Sequence, residues 1–245
     1  MGGVLYVVAT PVGNMKDITL RAVEVLRDVD VIVAENRERA LKLLSHLSIR
    51  KPIITINSYN EERKAGSIAR QLLEGKSCAL ISGAGTPCIS DPGGLVVKAC
   101  HEAGVDVRAV PGPSAVAGAI SISGLYADRF LFYGFLPQKR GKKRKVLRGF
   151  LSFPYPIVFF ESPRKLVDTL GCIREEFGNR PAVVVKEMTK IHETVMRGPL
   201  DDVIDSMSTE EPRGEYLIIV DGKGRQDDEN DGENDKTHCD AKKNR

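Results

Sequence analysis

The sequence has 245 residues, of which 42% are hydrophobic and 6% aromatic, and this suits one large domain or two of about 100–150 residues each. The formal net charge is only +3, so bulk charge does not indicate a nucleic-acid-binding protein. The five cysteines form no C-x-x-C pair or zinc-finger pattern, and no set of metal ligands is visible. With no secretory signal peptide and no apolar run of about 18 residues, we expect a cytoplasmic protein without a membrane segment.

The first half of the sequence alternates short apolar runs with amphipathic stretches. Apolar residues recur at helical spacing after the first run, and Asp17 is the predicted N-cap of that helix. Because near-continuous apolar strands alternate with helices, the predicted fold is α/β with a mainly parallel sheet covered on both faces. The predicted strands are residues 5–9, 31–34, 52–56, 78–81 and 105–110, and the later helices include residues 43–47, 62–73, 95–103 and 114–122.

The second half is less regular and predicts a second α/β domain with a mixed sheet. A short strand at residues 194–197 is expected to form a hairpin with residues 183–186. The other predicted strands are residues 130–134, 157–160, 182–186 and 216–220, and the predicted helices are residues 164–177 and 200–207. We therefore divide the chain into residues 1–115, residues 116–221 and a polar tail, residues 222–245. The tail is expected to be disordered because it has too few apolar residues to offset chain entropy.

Three loops rich in glycine and proline follow strands of the first domain, at residues 10–14, 82–94 and 111–115. Ligands bind at the carboxyl ends of strands in open parallel sheets. Glycine lets a ligand approach the backbone, and proline fixes the loop shape. Any one loop is explained equally well as a tight turn, but three together predict a ligand site. They are not a dinucleotide fingerprint, because Cys88 stands where the third glycine belongs, and no P-loop is present.

Six motifs in order resemble a known family. They are ATPVGN (9–14), GTPCISDPG (85–93), PGPSA (111–115), FLFYGFLP (130–137), FFESP (159–163) and KEMTK (186–190). The sequence thereby resembles the tetrapyrrole-methylase-like superfamily of S-adenosylmethionine-dependent methyltransferases, and within it the branch that modifies small-subunit ribosomal RNA. The resemblance implies two α/β domains with S-adenosyl-L-methionine in the cleft between them, and a homodimer. It also implies methyl transfer to the 2′-hydroxyl of a cytidine, with ribosomal RNA or the small ribosomal subunit as partner.

The resemblance also implies cofactor contacts from both domains, when residues are carried over by position. These contacts are Pro11, Gly13, Gly85, Thr86, Pro87, Ser114, Ala115, Phe135, Phe160 and Glu161. The sequence departs from the rRNA-modifying pattern at Asn36 and Gly83, where that pattern has acidic residues, and at Arg164, where it has histidine. The family places these positions at the active cleft, so the departures bear on which nucleotide is modified.

Transfer of a methyl group to a ribose hydroxyl requires alignment of the reacting atoms and removal of the hydroxyl proton. A polar cluster just past a predicted buried strand supplies the candidates. Lys186 or Lys190 would act as base or bind phosphate, and Glu187 and Glu193 would orient them. A salt-bridged surface turn explains the same cluster, and His192 is expected to be a surface residue. Asp17 and Arg21 are further candidates, although Asp17 is equally explained as a helix cap.

A basic run at residues 138–148 contains no acidic residue and follows the FLFYGFLP motif. Such a run is commonly a solvated face, but its position here predicts contact with RNA. The predicted contacts are Lys139, Arg140, Lys142, Lys143, Arg144 and Lys145. Two other functions stay open. One is a methyltransferase acting on a tetrapyrrole or another non-RNA substrate; the other is a non-catalytic RNA-binding protein, suggested by Gly83 and Arg164.

Overall fold

The computed structural model describes residues 2–207 and 213–224, and the chain forms two compact units. The first unit holds the chain up to Ala119 together with Glu187–Glu193. The second holds Ile120–Lys186 and the described residues from Thr194 onwards. Residues 225–245, most of the predicted polar tail, lie outside the described part. No helix among the described residues combines the length and apolar character that crossing a membrane requires.

The first unit contains a sheet in which every strand pair is parallel. The strand order is β3-β2-β4-β1-β5. The parallel sheet predicted from the alternating apolar runs is therefore confirmed. The strands are β1 (Val4–Val8), β2 (Val31–Ala34), β3 (Ile53–Thr55), β4 (Cys78–Ile81) and β5 (Asp106–Val110).

Helices cover both faces of this sheet. They are α1 (Leu20–Asp28), α2 (Arg37–His46), α3 (Glu61–Leu73) and α4 (Gly94–Glu102). Helix α5 (Ala115–Ser123) follows β5 and contains the division between the units. Successive side chains of a strand point to opposite faces. Accordingly, Ile32 packs in a buried cluster with residues of α1 and α2, whereas Val33 packs with residues of α3 and α4.

The prediction that Asp17 caps the first helix is wrong. Asp17 ends a short 3₁₀ helix, Met15–Asp17. The N-cap of α1 is Thr19, whose Oγ1 accepts a hydrogen bond of 3.1 Å from the backbone N–H of Ala22. The chain makes one extra turn before α1 begins, and an aspartate in such a turn is indistinguishable by residue type from a cap.

The second unit contains a mixed sheet in the order β6-β7-β10-β8-β9. Strands β6 and β7 are parallel, and the remaining pairs are antiparallel. The predicted mixed sheet and the predicted hairpin, formed by β8 and β9, are both confirmed. The strands are β6 (Leu131–Phe135), β7 (Ile157–Glu161), β8 (Pro181–Lys186), β9 (Thr194–Pro199) and β10 (Tyr216–Val220).

Helices α6 (Arg140–Arg148), α7 (Leu166–Phe177) and α8 (Leu200–Met207) belong to this second unit. Helix α6 is an addition to the predicted elements and covers most of the basic run. Lysine and arginine are good helix formers, and Leu147, which is fully buried, joins the same core cluster as Leu170 and Ile173 of α7. The basic run is thus one side of a packed helix pair.

Candidate functional site

The three glycine- and proline-rich loops meet at the carboxyl edge of the first sheet. They follow β4, β1 and β5, which are neighbours in the strand order. Thr10 and Gly85 exchange backbone hydrogen bonds of 2.9 and 3.0 Å. The hydroxyl of Thr86 donates to the carbonyl of Pro113 at 3.2 Å. The first loop is therefore tied to the second, and the second to the third.

Side chains and helix ends fix the shape of these loops. The Thr10 side chain is buried, and its hydroxyl donates to the carbonyl of Ser82 at 3.3 Å. Gly85 has φ +75°, a backbone conformation that residues other than glycine rarely adopt. Ser114 lies just before α5, where its Oγ accepts a 3.4 Å hydrogen bond from the backbone N–H of Ala117. Ala115 is the first residue of α5, so the third loop leads into a helix N-terminus.

Glu187–Glu193, hereafter the returning segment, packs against the first loop. A Cβ atom added to Gly13 would lie 2.5 Å from Cγ of Lys190 and 2.7 Å from the carbonyl oxygen of Met188. The returning segment also has positive φ at Glu187 (52°) and Thr189 (63°), which is strained for residues with side chains. At Gly13, the close approach to the backbone is thus made by the protein's own chain.

The candidate proton-handling residues are grouped mainly in the returning segment. The ammonium of Lys190 lies 2.9 Å from Oε1 of Glu187, and the Glu193 carboxylate accepts a hydrogen bond from the backbone N–H of Thr189. Lys186 is the last residue of β8 and belongs to the second unit. His192 is exposed, as expected. Three of the four candidates therefore share one short segment, in which Glu187 and Lys190 form an ion pair.

Two buried polar atoms of the first unit have no hydrogen-bond partner within the part of the chain that the structure describes. They are Oδ2 of Asp17 and Oγ1 of Thr189. Thr189 Oγ1 would lie 2.9 Å from a Cβ atom on Gly13. Buried polar groups are normally hydrogen-bonded, so these acceptors suit a ligand that carries amino and hydroxyl donors. S-adenosyl-L-methionine has such groups, and the residues present fit it. Arg21, by contrast, donates to the carbonyl of Ala109 at 2.9 Å and so anchors β5.

The predicted cofactor residues of the second unit lie at the ends of β6 and β7. The rings of Phe135 and Phe160 are 5.5 Å apart. Glu161 is buried, and its carboxylate accepts hydrogen bonds from the backbone N–H of Ser162 at 2.7 Å and the hydroxyl of Thr169 at 2.6 Å. Both hydrogen bonds lie within the second unit, so the Glu161 carboxylate helps to hold the end of β7 against α7. The FFESP motif alone does not indicate this role.

The prediction that Lys143 contacts RNA is corrected by the structure. Lys143 is only 1% exposed, and its ammonium lies 2.8 Å from Oδ2 of Asp168 and 2.7 Å from Oγ1 of Thr169. The reason is helical periodicity: α6 turns Lys143 and Leu147 inwards together.

Acidic residues of α7 neutralise other members of the basic run. Arg140 pairs with Glu175, and both Arg144 and Arg148 pair with Glu176. Hydrogen bonds from Arg148 and Arg144 hold the pKa of Glu176 below its usual range. Three exposed lysines have no ion pair with any described residue, and they recur at intervals of three along one side of the run. We call Lys139, Lys142 and Lys145 the basic stripe.

Asp91 is a candidate site residue that the sequence analysis did not single out, although it lies in the second loop. Burial, followed by the nearby Glu35 carboxylate, raises the pKa of Asp91 to about 6. Arg39 opposes this rise. A carboxyl group whose pKa lies near neutrality can gain or lose a proton under working conditions. The sequence did show an aspartate in the SDPG portion (90–93) of a glycine- and proline-rich loop. Its burial near the Glu35 carboxylate could not be inferred from the spacing of residues in the sequence.

The departures from the family pattern have local explanations. The guanidinium of Arg39 lies 3.0 Å from where a Cβ atom on Gly83 would be, so a larger residue at position 83 would have to displace Arg39. Asn36 caps α2, because its Oδ1 accepts a 3.0 Å hydrogen bond from the backbone N–H of Arg39. Arg164 lies in the 3₁₀ helix Pro163–Lys165, for which the structure shows no chemical role.

Comparison with known proteins places this architecture in a family. Residues 4–204 match the profile of the tetrapyrrole (corrin/porphyrin) methylases. The ribosomal RNA small subunit methyltransferase I of Thermotoga maritima is 42% identical over 90% of this chain and 99% of its own length. The protein of the same name from Escherichia coli O157:H7 is 40% identical over 93% of this chain and 80% of its own length.

Two solved structures share the fold. Uroporphyrin III C-methyltransferase from Thermus thermophilus superimposes with a TM-score of 0.63 at 19% identity, covering 91% of this chain and 98% of that one. Diphthine synthase gives a TM-score of 0.68 at 16% identity, covering 90% of both chains. The profile match and the identity with curated relatives together show that this chain belongs to the tetrapyrrole (corrin/porphyrin) methylase family.

Proposed function

We propose that this protein transfers a methyl group from S-adenosyl-L-methionine to the 2′-hydroxyl of a cytidine in small-subunit ribosomal RNA. The observation that carries the proposal is the meeting of three loops at the edge of the first sheet, through Thr10, Gly85, Thr86 and Pro113. It occurs in a chain whose 40–42% identical relatives are named ribosomal RNA small subunit methyltransferase I. The proposed assembly is a homodimer, as the sequence resemblance implies, and the proposed location is the cytoplasm.

The first unit supplies the proposed core of the cofactor site. Pro11, Gly13, Ser114 and Ala115 lie in the tied loops or at their ends, with the Gly85-Thr86-Pro87 turn beside them. When bound, S-adenosyl-L-methionine supplies a methyl group on a sulfonium, which is open to direct displacement. The protein's task is then to hold the reacting atoms in line, because alignment alone lowers the barrier by up to ~7–11 kcal/mol in ideal cases. Loops fixed by Thr86 and Gly85 meet that requirement.

The returning segment supplies the proposed proton-handling groups. Lys186 or Lys190 was the base expected from the sequence, but Lys190 forms an ion pair with Glu187 at 2.9 Å, and an ammonium group has no lone pair that could accept a proton. We therefore assign acceptance of the ribose hydroxyl proton to the Glu187 carboxylate, and stabilisation of the oxyanion to the ammonium of Lys190. Glu193 holds the backbone of this segment at Thr189. Lys186, at the end of β8, is proposed as a ligand for substrate phosphate.

The basic stripe is the proposed RNA contact. Lys139, Lys142 and Lys145 are exposed, and unpaired lysines attract the phosphate backbone without reading sequence. A tetrapyrrole that carries several carboxylates would also be attracted to such lysines, so the preference for RNA rests on the relatives named ribosomal RNA small subunit methyltransferase I. The RNA partner is therefore proposed to be ribosomal RNA or the small ribosomal subunit.

The decisive experiment combines cofactor binding with modification mapping. We expect calorimetry to detect S-adenosyl-L-methionine binding, and mass mapping to find one 2′-O-methylated cytidine that is lost from small-subunit rRNA when the gene is deleted. Glu187→Gln should retain cofactor binding but lose roughly 10²–10⁴-fold in turnover, the contribution of a placed base. Absence of cofactor binding would indicate a non-catalytic RNA-binding protein. Methylation of a precorrin-like compound instead of rRNA would replace the proposed substrate.

A further inference from the structure

An aromatic group lies along the paired strands β6 and β7 in the second unit. The Phe132 and Phe160 rings meet edge to face with centroids 5.0 Å apart, and Phe135 tilts against Phe160 with centroids 5.5 Å apart. Phe135 nevertheless remains 60% exposed. One side of its ring is supported by Phe160, and much of the rest faces solvent. An exposed, supported ring is what a stacking partner requires.

The basic stripe begins a few residues after this ring. Phe135 is the last residue of β6, and Lys139 precedes α6. Leu136, between them, is buried in the core cluster shared with α6 and α7, so the connection is anchored. Four residues span at most ~14 Å when fully extended. The exposed ring is therefore held close to Lys139, the first lysine of the basic stripe, within the second unit.

We propose that Phe135, which the sequence resemblance gives as a cofactor contact, instead stacks against an unpaired base of the RNA substrate while the basic stripe binds the adjacent phosphates. The inference rests on the proposed function for the identity of the substrate as RNA. An aromatic platform beside a positively charged track is the arrangement that binds single-stranded nucleic acid. In a duplex the base faces are covered by their neighbours, so only a single-stranded or extruded nucleotide can use the ring.

The ring also sets what kind of selectivity to expect. Phe135 has no hydrogen-bonding group, so stacking accepts every base and adds affinity rather than sequence specificity. The lysines contact phosphates and carry no sequence information either. The pair of features thus selects for an unpaired conformation of the RNA, and choice of the nucleotide is left to other residues.

The test measures RNA binding without cofactor, by fluorescence anisotropy of a labelled, unstructured RNA of about ten nucleotides, within the range that one small domain covers, and of a duplex of equal length. We expect Phe135→Ala to weaken single-strand binding by roughly 5- to 150-fold, the loss of one base–aromatic stack. Duplex binding should stay unchanged. Phe135→Trp should retain affinity, and Phe135→Leu, which keeps apolar area without a ring, should resemble Phe135→Ala.

The matched control is Tyr59→Ala, which removes an exposed ring, 97% accessible, from the first unit and should leave RNA binding unaltered. Equal losses for single strand and duplex, or no loss in Phe135→Ala, would overturn the inference. So would loss of S-adenosyl-L-methionine affinity in calorimetry, which would make Phe135 a cofactor contact, or a change in mass by light scattering, which would make it a contact between copies. Failure of the wild type to bind RNA would instead overturn the proposed function.

Discussion

The ammonium group of Lys143, a residue only 1% exposed, lies 2.8 Å from Oδ2 of Asp168. It also donates to the hydroxyl of Thr169, which in turn donates to the buried carboxylate of Glu161. A chain of polar contacts thus runs from the basic helix α6, through α7, to the end of β7. Buried charges need such partners, because an unpaired charge away from water is costly.

We predict that Lys143→Met destabilises the protein by about 3 kcal/mol, because it leaves Asp168 and Thr169 without the cation that contacts both. This is the lower end of the range for breaking a buried ion pair. A larger loss is not expected, because the Asp168 side chain is 52% exposed and its charge remains hydrated. Urea unfolding measures the effect. The control is Lys142→Met, an exposed neighbour on the same helix, which should leave the unfolding midpoint unchanged. Equal midpoints for the two variants would contradict the buried network.

Gly13 should tolerate no side chain. In Gly13→Ala the added Cβ would lie 2.5 Å from Lys190 and 2.7 Å from Met188, so the returning segment must shift. We expect a loss of about 1–3 kcal/mol in stability, as for overpacked sites, and a fall in kcat. The matched control is Gly66→Ala in α3, where a Cβ meets nothing within 4 Å. It should stabilise the protein by roughly 0.5–1 kcal/mol, since alanine is the better helix former.

The pKa of Asp91, raised to about 6, predicts a pH dependence of stability. The folded protein holds this proton more tightly than the unfolded chain, whose reference pKa is 3.8. The contribution of Asp91 to the free energy of unfolding is therefore greatest below about pH 4 and falls as pH rises to about 6. Denaturant unfolding across this window should show that Asp91→Asn removes the fall. Glu24→Gln, at an exposed carboxylate of α1, should preserve it, and identical profiles for both variants would refute the assignment.

The basic stripe should account for part of the salt dependence of RNA binding. Replacing Lys142 and Lys145 with Ala should reduce the slope of log affinity against log salt by about 1.4 for single-stranded RNA, or about 0.7 per lost phosphate contact. Cofactor affinity should not change. The control removes the same charge from exposed positions of the first unit, Arg27 and Lys42. If both double variants alter the slope equally, the effect is one of net charge and not of the stripe.

The elements that sequence patterns predicted best are those whose pattern is local. Strands β2, β4 and β10 match the predicted residues 31–34, 78–81 and 216–220, because each is a wholly buried run between polar neighbours. Asp17 was misassigned because it ends a 3₁₀ turn that precedes α1. Helix α6 was missed because one of its two buried residues, Lys143, is charged. The partners of Lys143, Asp168 and Thr169, lie far along the chain.

For the candidate site, too, the sequence predicted the local features and missed those that depend on contacts between distant residues. Clustering of the three loops followed from parallel strands, whose carboxyl ends share one edge of a sheet. The strand order then set which loops touch, and the Thr86–Pro113 hydrogen bond could not be read from either motif. The raised pKa of Asp91 depends on burial and on the Glu35 carboxylate. The hydrogen bonding of the Glu161 carboxylate depends on Thr169. Burial and neighbouring side chains are set by tertiary packing and cannot be inferred from the spacing of residues in the sequence.

The docking of Met188–Lys190 against Gly13 has a consequence during protein synthesis. The loop after β1 is among the earliest parts of the chain to leave the ribosome, yet the segment that covers it is translated only after most of the second unit. Contacts between residues so distant in sequence form late because they require closure of a very long loop. Gly13 of the nascent first unit therefore stays uncovered until residues 187–193 have been synthesised. A polypeptide that ends at Ala119 would lack the returning segment altogether.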